Sequence, residues 1–505
     1  MNTARGVDPR TPVIVGVAQS VRHPEAGDDL AALAAPADMM VEALHMAGED
    51  SGTGDRLLRA ADSVRVVDTL SWRYRDAPAL VAEGIGASPR QRLRSTAGGN
   101  SPQMLVNQAA AAIARGELDV ALVTGAEAIY TRLLSRKTNT WLPWKRQPED
   151  CAGAEVLGDD RPGTSEQEMA RSLLMPTQVY PVFENAIRAA ADESVGAHQE
   201  KISRLWSRFS EVAAANPAAW SRVARTPEEI RTPSADNRMI GFPYLKLMNA
   251  NIQTDQAAAL VLCSVAAARS AGVPEERWVF IHAGADGHDH WFVSERADLR
   301  SSPAVGACGR SVLEMSGTTI DDVAHVDLYS CFPSAVQVAA AELGLSLEDP
   351  DRPLTVTGGL TFAGGPGNNY VTHSIAGMTQ VLRAEPGSLG MVTALGWYMT
   401  KHSVALYGTS PPQHGFRWRS VQDEVDRLPG RQAVAEHDGP ATVEAYTVMH
   451  ERDGSPALGI VACLLPDGRR CWANAHDMDA LVEMTTQEWV GRAVRVRPGG
   501  RLEAA

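Results

Sequence analysis

Two successive series of short apolar strands and helices constrain the fold of this chain more than any other feature. The first series has apolar runs at 13–16 and 120–124 and helical stretches at 36–47 and 102–115. Such runs, alternating with helices, are typical of strands buried on both faces of a parallel or mixed sheet. Because each series has a glycine-rich turn before a helix, we predict an internally duplicated α/β fold. The second series alternates in the same way, at 278–282, 326–329, 333–343, 372–383 and 389–393.

Changes in composition divide the chain further. A polar stretch separates the two series, and an insertion of this length is typical of a lid over a site. After Pro411 and Pro412, alternating strands surround two Asp-Gly turns, which are strong hairpin signals. We therefore predict four units: an amino-terminal half (1–130 and 249–275), a loop domain (131–248), a carboxyl-terminal half (276–410) and a small all-β, OB-like domain (411–505).

Charge and cysteine content exclude several classes of function. The formal net charge is −14, which disfavours binding to nucleic acid or to an anionic membrane surface. Six cysteines without a CxxC pair indicate free thiols rather than a disulfide scaffold or a structural zinc site. No apolar run is long enough for a transmembrane helix, and no secretory signal opens the chain. We expect a cytoplasmic protein with no metal and no resident cofactor.

Four segments resemble motifs of the thiolase superfamily in their order and spacing. In order, they correspond to four thiolase motifs: the segment around the nucleophilic cysteine, the turn that closes the amino-terminal half, the Asn-Glu-Ala-Phe or His-Asp-Cys-Phe motif, and the Gly-His-Pro loop. The resemblance implies a duplicated five-layered fold with an inserted loop domain. The appended β domain is similar to that of thiolase-like proteins type 1, within the sterol-carrier-protein-2 (SCP2) thiolase-like group. In this sequence the four segments are 99–102, 249–259, 329–332 and 358–366.

Each motif departs from the thiolase pattern at its chemical residue. Gly99 aligns with the nucleophilic cysteine, Gly365 with the catalytic histidine, and Tyr329 with the asparagine or histidine of an oxyanion hole. The last catalytic loop also lacks its cysteine. Thiolysis and Claisen condensation need a thiolate and a base, which glycine does not supply. The resemblance still implies a ligand pocket with backbone donors at Gly99 and Gly396. Its predicted lining is Gly99, Ser101, Tyr329, Gly364, Gly365, Gly396 and Trp397.

Three residues are candidates for residual catalysis. Cys331 stands where SCP2 thiolases are thought to carry an acid/base cysteine; the alternative is a small buried hydrophobic residue. His373 follows Gly365 by eight residues, and His402 follows the last pocket loop. Either histidine is alternatively a packing or capping residue.

A basic and aromatic run opens the loop domain. Thiolases bind the phosphates and adenine of coenzyme A mainly through this domain, so the resemblance implies charge-assisted hydrogen bonds and stacking here. The alternative is a solvated lid. The run comprises Arg132, Arg136, Lys137, Trp141, Trp144, Lys145 and Arg146.

Three functions follow from these observations. The first is a binding protein for an acyl-coenzyme A thioester or a lipid-like molecule in lipid metabolism. The second is an acyltransferase, like the acetyl-coenzyme A acetyltransferases, that uses Cys331. The third is a structural protein that recruits a partner through its β domain. Thiolases usually dimerise through the strand before the nucleophile, where Arg92 and Arg94 oppose edge pairing, so a monomer and a homodimer both remain open.

Overall fold

The first α/β series forms one half of a large sheet with helices on both of its faces. The computed structural model describes residues 6–25 and 27–504. Elements of this half, in chain order, are β1 (Pro12–Arg22), α1 (Pro36–Asp50), α2 (Asp55–Arg59), β2 (Ser63–Val66), α3 (Ala77–Gly84), β3 (Gln91–Ser95), α4 (Ser101–Ala114) and β4 (Val120–Ala128).

The loop domain is mainly helical and contributes three short strands to sheets outside itself. Its elements are α5 (Ile129–Thr138), β5 (Glu155–Leu157), α6 (Glu166–Met169), α7 (Pro176–Ala190), α8 (Val195–Ala215), α9 (Pro227–Arg231), β6 (Met239–Gly241) and β7 (Tyr244–Leu245).

The chain then completes the first half and builds the second. The elements are β8 (Asp255–Ser264), α10 (Val265–Ala271), β9 (Val279–His288), α11 (Pro303–Ser316), β10 (His325–Asp327), α12 (Pro333–Leu343), α13 (Gly359–Phe362), α14 (Tyr370–Ala384), β11 (Leu389–Gly396) and β12 (Lys401–Gly408).

Strands dominate the remainder of the chain. The elements are β13 (Arg417–Ser420), α15 (Gln422–Val425), β14 (Gly439–His450), β15 (Pro456–Leu464), β16 (Arg470–Ala475), α16 (Met478–Thr486), β17 (Ala493–Arg497) and β18 (Arg501–Ala504).

Strand order confirms the predicted duplication. The first half runs β3-β2-β4-β8-β1, with β8 antiparallel to both neighbours. In the second half β10-β11-β12-β9 repeats the order β2-β4-β8-β1, with β12 antiparallel to both neighbours. The two halves meet through a short pairing of β1 with β9. Helices α4 and α14 pack against each other and against strands of both halves. They form the middle layer of five, as the duplicated thiolase fold requires.

A small barrel closes the carboxyl-terminal domain. Its strands follow the order β15-β16-β18-β17-β14, and a further pairing of β14 with β15 joins the ends. This five-stranded ring confirms the predicted OB-like domain. Both predicted Asp-Gly turns connect barrel strands, one between β14 and β15 and the other between β15 and β16.

Strand pairing crosses the predicted domain boundaries at three places. Strand β5 leaves the loop domain to pair with β3, and β6 leaves it to pair with barrel strand β14. Beyond residue 410, β13 returns to the large sheet and pairs with β9. Hydrogen bonds therefore join the predicted loop domain to the amino-terminal half through β5 and to the barrel through β6.

None of the helices in the described residues is long and apolar enough to cross a membrane.

Candidate functional site

At Gly99, the position predicted to align with the thiolase nucleophile, a tyrosine takes up the space for a side chain. Gly99 lies between β3 and α4, and a Cβ atom there would stand 2.5 Å from Tyr329 Cζ and 2.6 Å from the carbonyl oxygen of Leu395. The hydroxyl oxygen of Tyr329 would be closer still. These separations are far below the roughly 3.5 to 4.0 Å of carbon contacts. The Tyr329 side chain therefore occupies the space into which a side chain at position 99 would project.

Lys401 and Asn100 fill the space beside the neighbouring glycines. A Cβ atom at Gly396 would lie against the side-chain oxygen of Asn100 and 3.1 Å from Lys401 Cε. At Gly98 it would stand 2.6 Å from the Asn100 oxygen and 3.0 Å from Lys401 Nζ. Gly99 and Gly396 thus lie in one cluster, which also contains a lysine that the sequence analysis did not select.

The lysine in this cluster is buried. Lys401 is 5% exposed, and its ammonium group donates to the backbone carbonyls of Ala97 at 2.5 Å and Asp159 at 3.2 Å. Burial lowers the Lys401 pKa to about 8. The sequence signal that could have indicated Lys401 is its position as the charged first residue of β12, a strand that is buried along its whole length.

Some hydrogen-bond donors in this cluster already have partners within the protein. The Gly98 amide donates to Asn368 Oδ1 at 2.9 Å, and the Asn368 side chain donates to the carbonyl of Asp68 at 2.9 Å. The hydroxyl of Ser101, at the start of α4, donates to the carbonyl of Thr96 at 2.8 Å. Ser101 is fully buried, so its hydroxyl has a structural partner rather than an open site.

Two glycines of the second glycine-rich loop have to be glycine. Gly364 has φ +105° and would meet the side chain of Gln256, and Gly367 has φ +55° and would meet the carboxyl group of Glu127. A side chain at either position would be strained by its backbone and by its neighbour.

Gly365 is different, because it has room for a Cβ atom. The nearest atoms to such a Cβ are 3.4 Å away, on Asn251 and Leu360, which is ordinary contact. Its amide donates to the carbonyl of Asn251 at 2.8 Å, and the Asn251 amide donates to the carbonyl of Leu360 at 3.0 Å. The position aligned with the thiolase histidine is thus less crowded than the position aligned with the cysteine.

Cys331 is held in the interior. Burial raises its pKa to about 12, so the group is a thiol at neutral pH. It lies beside Tyr180, whose hydroxyl donates to the carbonyl of Trp397 at 2.8 Å and accepts from the Met399 amide at 3.2 Å. The Trp397 ring, in turn, packs against Gly163 of the loop domain. Cys331 and Trp397 therefore belong to one contact between the loop domain and the second half.

His373 lies in the middle layer on α14. Its Nδ1 is 3.1 Å from the side-chain oxygen of Gln19 in β1, and its Nε2 has no hydrogen-bond partner among the described residues. Burial lowers the His373 pKa to about 3, so the ring is neutral at physiological pH.

His402 belongs to a buried polar cluster. Its Nε2 is 3.0 Å from Ser302 Oγ, 3.1 Å from the Met399 carbonyl and 3.4 Å from Asp289 Oδ2. The Ser302 hydroxyl donates to Asp289 at 2.5 Å. A catalytic triad needs the base to use one nitrogen for the serine and the other for the carboxylate. Here a single nitrogen faces both groups, beside a cavity of about 10 Å³ that Tyr329 also lines.

The basic and aromatic run is gathered around a tryptophan that the sequence analysis did not select. The guanidinium groups of Arg146 and Arg132 lie 5.1 Å and 5.9 Å from the Trp72 ring, and Arg146 is also 5.7 Å from Trp141. Trp141 is 71% exposed. Trp144 is instead buried, and its indole nitrogen donates to the backbone carbonyl of Leu33 at 2.9 Å.

Other members of the run reach solvent. Arg136 and Lys137 are exposed on α5, and Lys145 forms an exposed ion pair with Glu83 at 3.3 Å. The exposed cations and Trp141 are available to an anionic, ring-containing ligand, whereas Trp144 is part of the core.

A short chain of contacts joins this cluster to the glycine-rich loop. Arg132 donates to the carbonyl of Ser71 at 2.5 Å, and the Ser71 amide donates to Glu127 Oε2 at 2.7 Å. Glu127 lies against Gly367. Burial raises the Glu127 pKa to about 7, although hydrogen bonds from two backbone amides oppose the shift. The cluster and the glycine loop are therefore neighbours.

Strand β5 covers the edge of β3, the strand through which the thiolase resemblance predicts pairing with a second subunit. It runs parallel to β3, with Leu93 opposite Glu155 and Ser95 opposite Leu157. Arg94 on β3 forms an ion pair with Asp68 at 2.5 Å. An edge strand that is already paired does not offer its backbone groups to another chain.

The duplicated sheet order, the inserted domain and the barrel define a thiolase-fold protein with an additional carboxyl-terminal domain. A family model described as the thiolase-like protein type 1 additional C-terminal domain matches residues 420–501. The crystal structure of a monomeric SCP2-thiolase-like protein type 1 from Mycobacterium smegmatis is 34% identical, with a TM-score of 0.84, covering 99% of this chain and 100% of that one. The chain belongs to the SCP2-thiolase-like proteins type 1.

More distant structures share the fold. The dimeric peroxisomal thiolase of Saccharomyces cerevisiae is 14% identical with a TM-score of 0.56, over 81% of this chain and 100% of that one. The Acat5 thiolase from Ascaris suum, solved in complex with coenzyme A, is 14% identical with a TM-score of 0.56, over 79% of this chain and 99% of that one. No curated protein matches the chain.

Proposed function

We propose that this protein binds an acyl-coenzyme A thioester or a related lipid-like ligand and does not catalyse thiolase chemistry. The observation that carries the proposal is the Tyr329 side chain packed against Gly99. A thiolase needs a thiolate there to hold the acyl group, with a histidine to activate it. In this chain glycine stands at both aligned positions, and a phenol fills the first.

The alternative of catalysis by Cys331 has weaker support. A thiol whose pKa is raised to about 12 by burial is a poor acid/base at neutral pH. Neither His373 nor His402 stands as a base beside it, since their hydrogen bonds go to Gln19 and to the Ser302 cluster.

Support for a coenzyme A ligand comes from the surface around Trp72. Arg146 and Trp141 offer a cation and an exposed ring face, the combination that suits a phosphate next to an adenine. Arg136 adds a second exposed guanidinium on α5. Contacts from Arg132 through Ser71 and Glu127 to Gly367 bring this surface close to the second glycine-rich loop.

Titration calorimetry with coenzyme A and acetoacetyl-coenzyme A tests the proposal, alongside an assay of thioester loss in the presence of coenzyme A. We expect binding without turnover. The double variant Trp141→Ala/Arg146→Ala should weaken binding tenfold or more, about 1.4 kcal/mol for a lost cation and stacking face. Arg452→Ala, at an exposed arginine on the β14–β15 turn, is the matched control and should bind like the parent.

Two results would overturn the proposal. Thioester loss that disappears in Cys331→Ala would establish the acyltransferase instead. Binding that is equal in the parent and in Trp141→Ala/Arg146→Ala would remove the predicted coenzyme A contacts.

We also propose that the protein is a monomer, because β5 occupies the β3 edge. Light scattering coupled to size exclusion should give the mass of one chain, 54.0 kDa. A concentration-independent mass of twice that value would contradict the proposal.

A further inference from the structure

A groove runs between α8 and the segment 347–355, which follows α12. It contains a cavity of about 430 Å³, and a second cavity of about 360 Å³ continues along the same helix. Arg208 and Leu347 line both cavities, and Arg208 donates to the carbonyl of Leu347 between them. The first cavity alone is within the range of roughly 300 to 1,000 Å³ that is usual for small-molecule sites.

Part of the wall of the first cavity is apolar. Ile202 and Leu205 on α8 are buried, and half-buried Leu347 faces them from the opposite segment. None of the residues that line this cavity belongs to the cluster around Gly99. The groove is therefore a different place from the proposed thioester site.

One buried polar atom in this cavity lacks a partner. Gln337, on α12, lines the cavity and is 5% exposed. Its amide nitrogen donates to Glu184 Oε1 at 2.6 Å, whereas its amide oxygen has no hydrogen-bond partner in the described part of the chain. A buried acceptor without a donor destabilises the fold, and a ligand that donates a hydrogen bond to it would remove that penalty.

The orientation of the Gln337 amide is fixed by its neighbour. The Glu184 carboxylate is fully buried and accepts hydrogen bonds from the Tyr244 hydroxyl and the His198 ring as well. Burial alone would lower the His198 pKa, but hydrogen bonding to Glu184 raises it. A carboxylate needs donors, so the nitrogen of Gln337 has to face Glu184. The oxygen of this cavity-lining residue is therefore the amide atom left without a partner.

The charged rim of the groove is largely neutralised. Lys201 pairs with Glu193 at 2.9 Å, and Arg204 pairs with Glu200 at 2.8 Å. Arg208 is a third cation that lines this cavity, and the carboxylates of Glu211 and Glu348 on the same lining offset its charge; Glu348 also lies 3.9 Å from Arg204. These pairs leave no concentrated positive field to select an anion, so an uncharged ligand suits the groove better than a carboxylate or phosphate.

We propose that the groove between α8 and segment 347–355 binds an uncharged amphipathic molecule. Its apolar body would lie against Ile202, Leu205 and Leu347, and its hydroxyl or amide N–H group would donate to the oxygen of Gln337. The site does not depend on the proposed thioester function.

A matched pair of ligands tests the site on the full-length protein. Octan-1-ol has the donor, and its methyl ether, 1-methoxyoctane, lacks it. We expect titration calorimetry to show octan-1-ol binding about tenfold more tightly, since one hydrogen bond to a buried acceptor contributes about 1.4 kcal/mol. Equal affinity for the two molecules, or no binding of either, would refute the proposal.

Two variants locate the binding. Leu347→Trp adds bulk at a half-buried wall position and should abolish octan-1-ol binding, while Val482→Trp, at an exposed position of the barrel domain, should leave it unchanged. Gln337→Met should remove the preference for the alcohol over the ether. Octan-1-ol binding that persists in Leu347→Trp would place the ligand elsewhere. Titration of Leu347→Trp with coenzyme A measures the proposed thioester site separately, because this variant should lose octan-1-ol binding without any change in coenzyme A binding.

Discussion

Adding one methyl group at each of two glycines measures how completely the thiolase nucleophile position is filled. Gly99→Ala would place a Cβ atom 2.5 Å from Tyr329 Cζ and 2.6 Å from the carbonyl oxygen of Leu395. Gly365→Ala would place one 3.4 Å from its nearest neighbours. Neither glycine has a left-handed φ, so alanine suits the backbone at both positions and contact alone separates them.

The expected difference in stability is large. Overpacking a filled interior typically reduces the free energy of unfolding by about 1 to 3 kcal/mol. The loss for Gly99→Ala should lie at the upper end of this range, because neither neighbour can move away easily. The Leu395 carbonyl is part of the backbone, and the Tyr329 amide donates to the Thr393 hydroxyl at 3.0 Å. The lost freedom of the unfolded chain favours alanine by about 0.4 to 1 kcal/mol at both glycines, so this contribution cancels in the comparison. We therefore expect Gly99→Ala to be at least about 2 kcal/mol less stable than Gly365→Ala.

Urea unfolding followed by far-ultraviolet circular dichroism measures this difference. In a Tyr329→Leu background, which removes the phenol ring, the effect of Gly99→Ala should shrink, and a double-mutant cycle gives the coupling. If Gly99→Ala and Gly365→Ala unfold at the same urea concentration, the side chain of Tyr329 does not block position 99, and the argument against a nucleophile there fails.

Three further predictions concern titratable groups. For Lys401 the folded pKa of about 8 is below the unfolded value, so the unfolded chain binds more protons between about pH 8 and 10.4 and stability rises across that window. In urea unfolding, Lys401→Met should abolish this rise. For His373, with a folded pKa of about 3, stability should fall as the pH drops below about 6.5, and His373→Gln should lessen that loss in thermal melts at pH 5; an identical acid profile would contradict the buried neutral ring. Cys331 should resist iodoacetamide at pH 8 until urea is added, as peptide mass mapping would show, because its pKa is about 12.

Much of the fold followed from the sequence because its signals are local and repeated. The alternating buried strands and the two Asp-Gly turns predicted the duplicated sheet and the barrel. Strand β5 was not predicted, since three residues in a polar insertion carry no periodicity and gain their strand geometry only from pairing with β3.

The site was less accessible from the sequence. Motif alignment placed Gly99 and Gly396 at one centre, and they do lie together. The packing of Tyr329 into the space beside Gly99 depends on two segments more than two hundred residues apart, and no local pattern reports it. Lys401 and Trp72 were not predicted as site residues for the same reason. Each one contacts other site residues only in the folded protein. The catalytic roles considered for Cys331, His373 and His402 remain predictions.

The pairing of Gly241 with Met449 sets an order of events during synthesis. A ribosome releases the chain from its amino terminus, and domains usually fold as they emerge. Strands β6 and β7 must wait for some two hundred further residues before β14 arrives to pair with them. The inserted helices and their two strands therefore lack this partner until β14 has been synthesised, and during that interval they are open to chaperones and proteases.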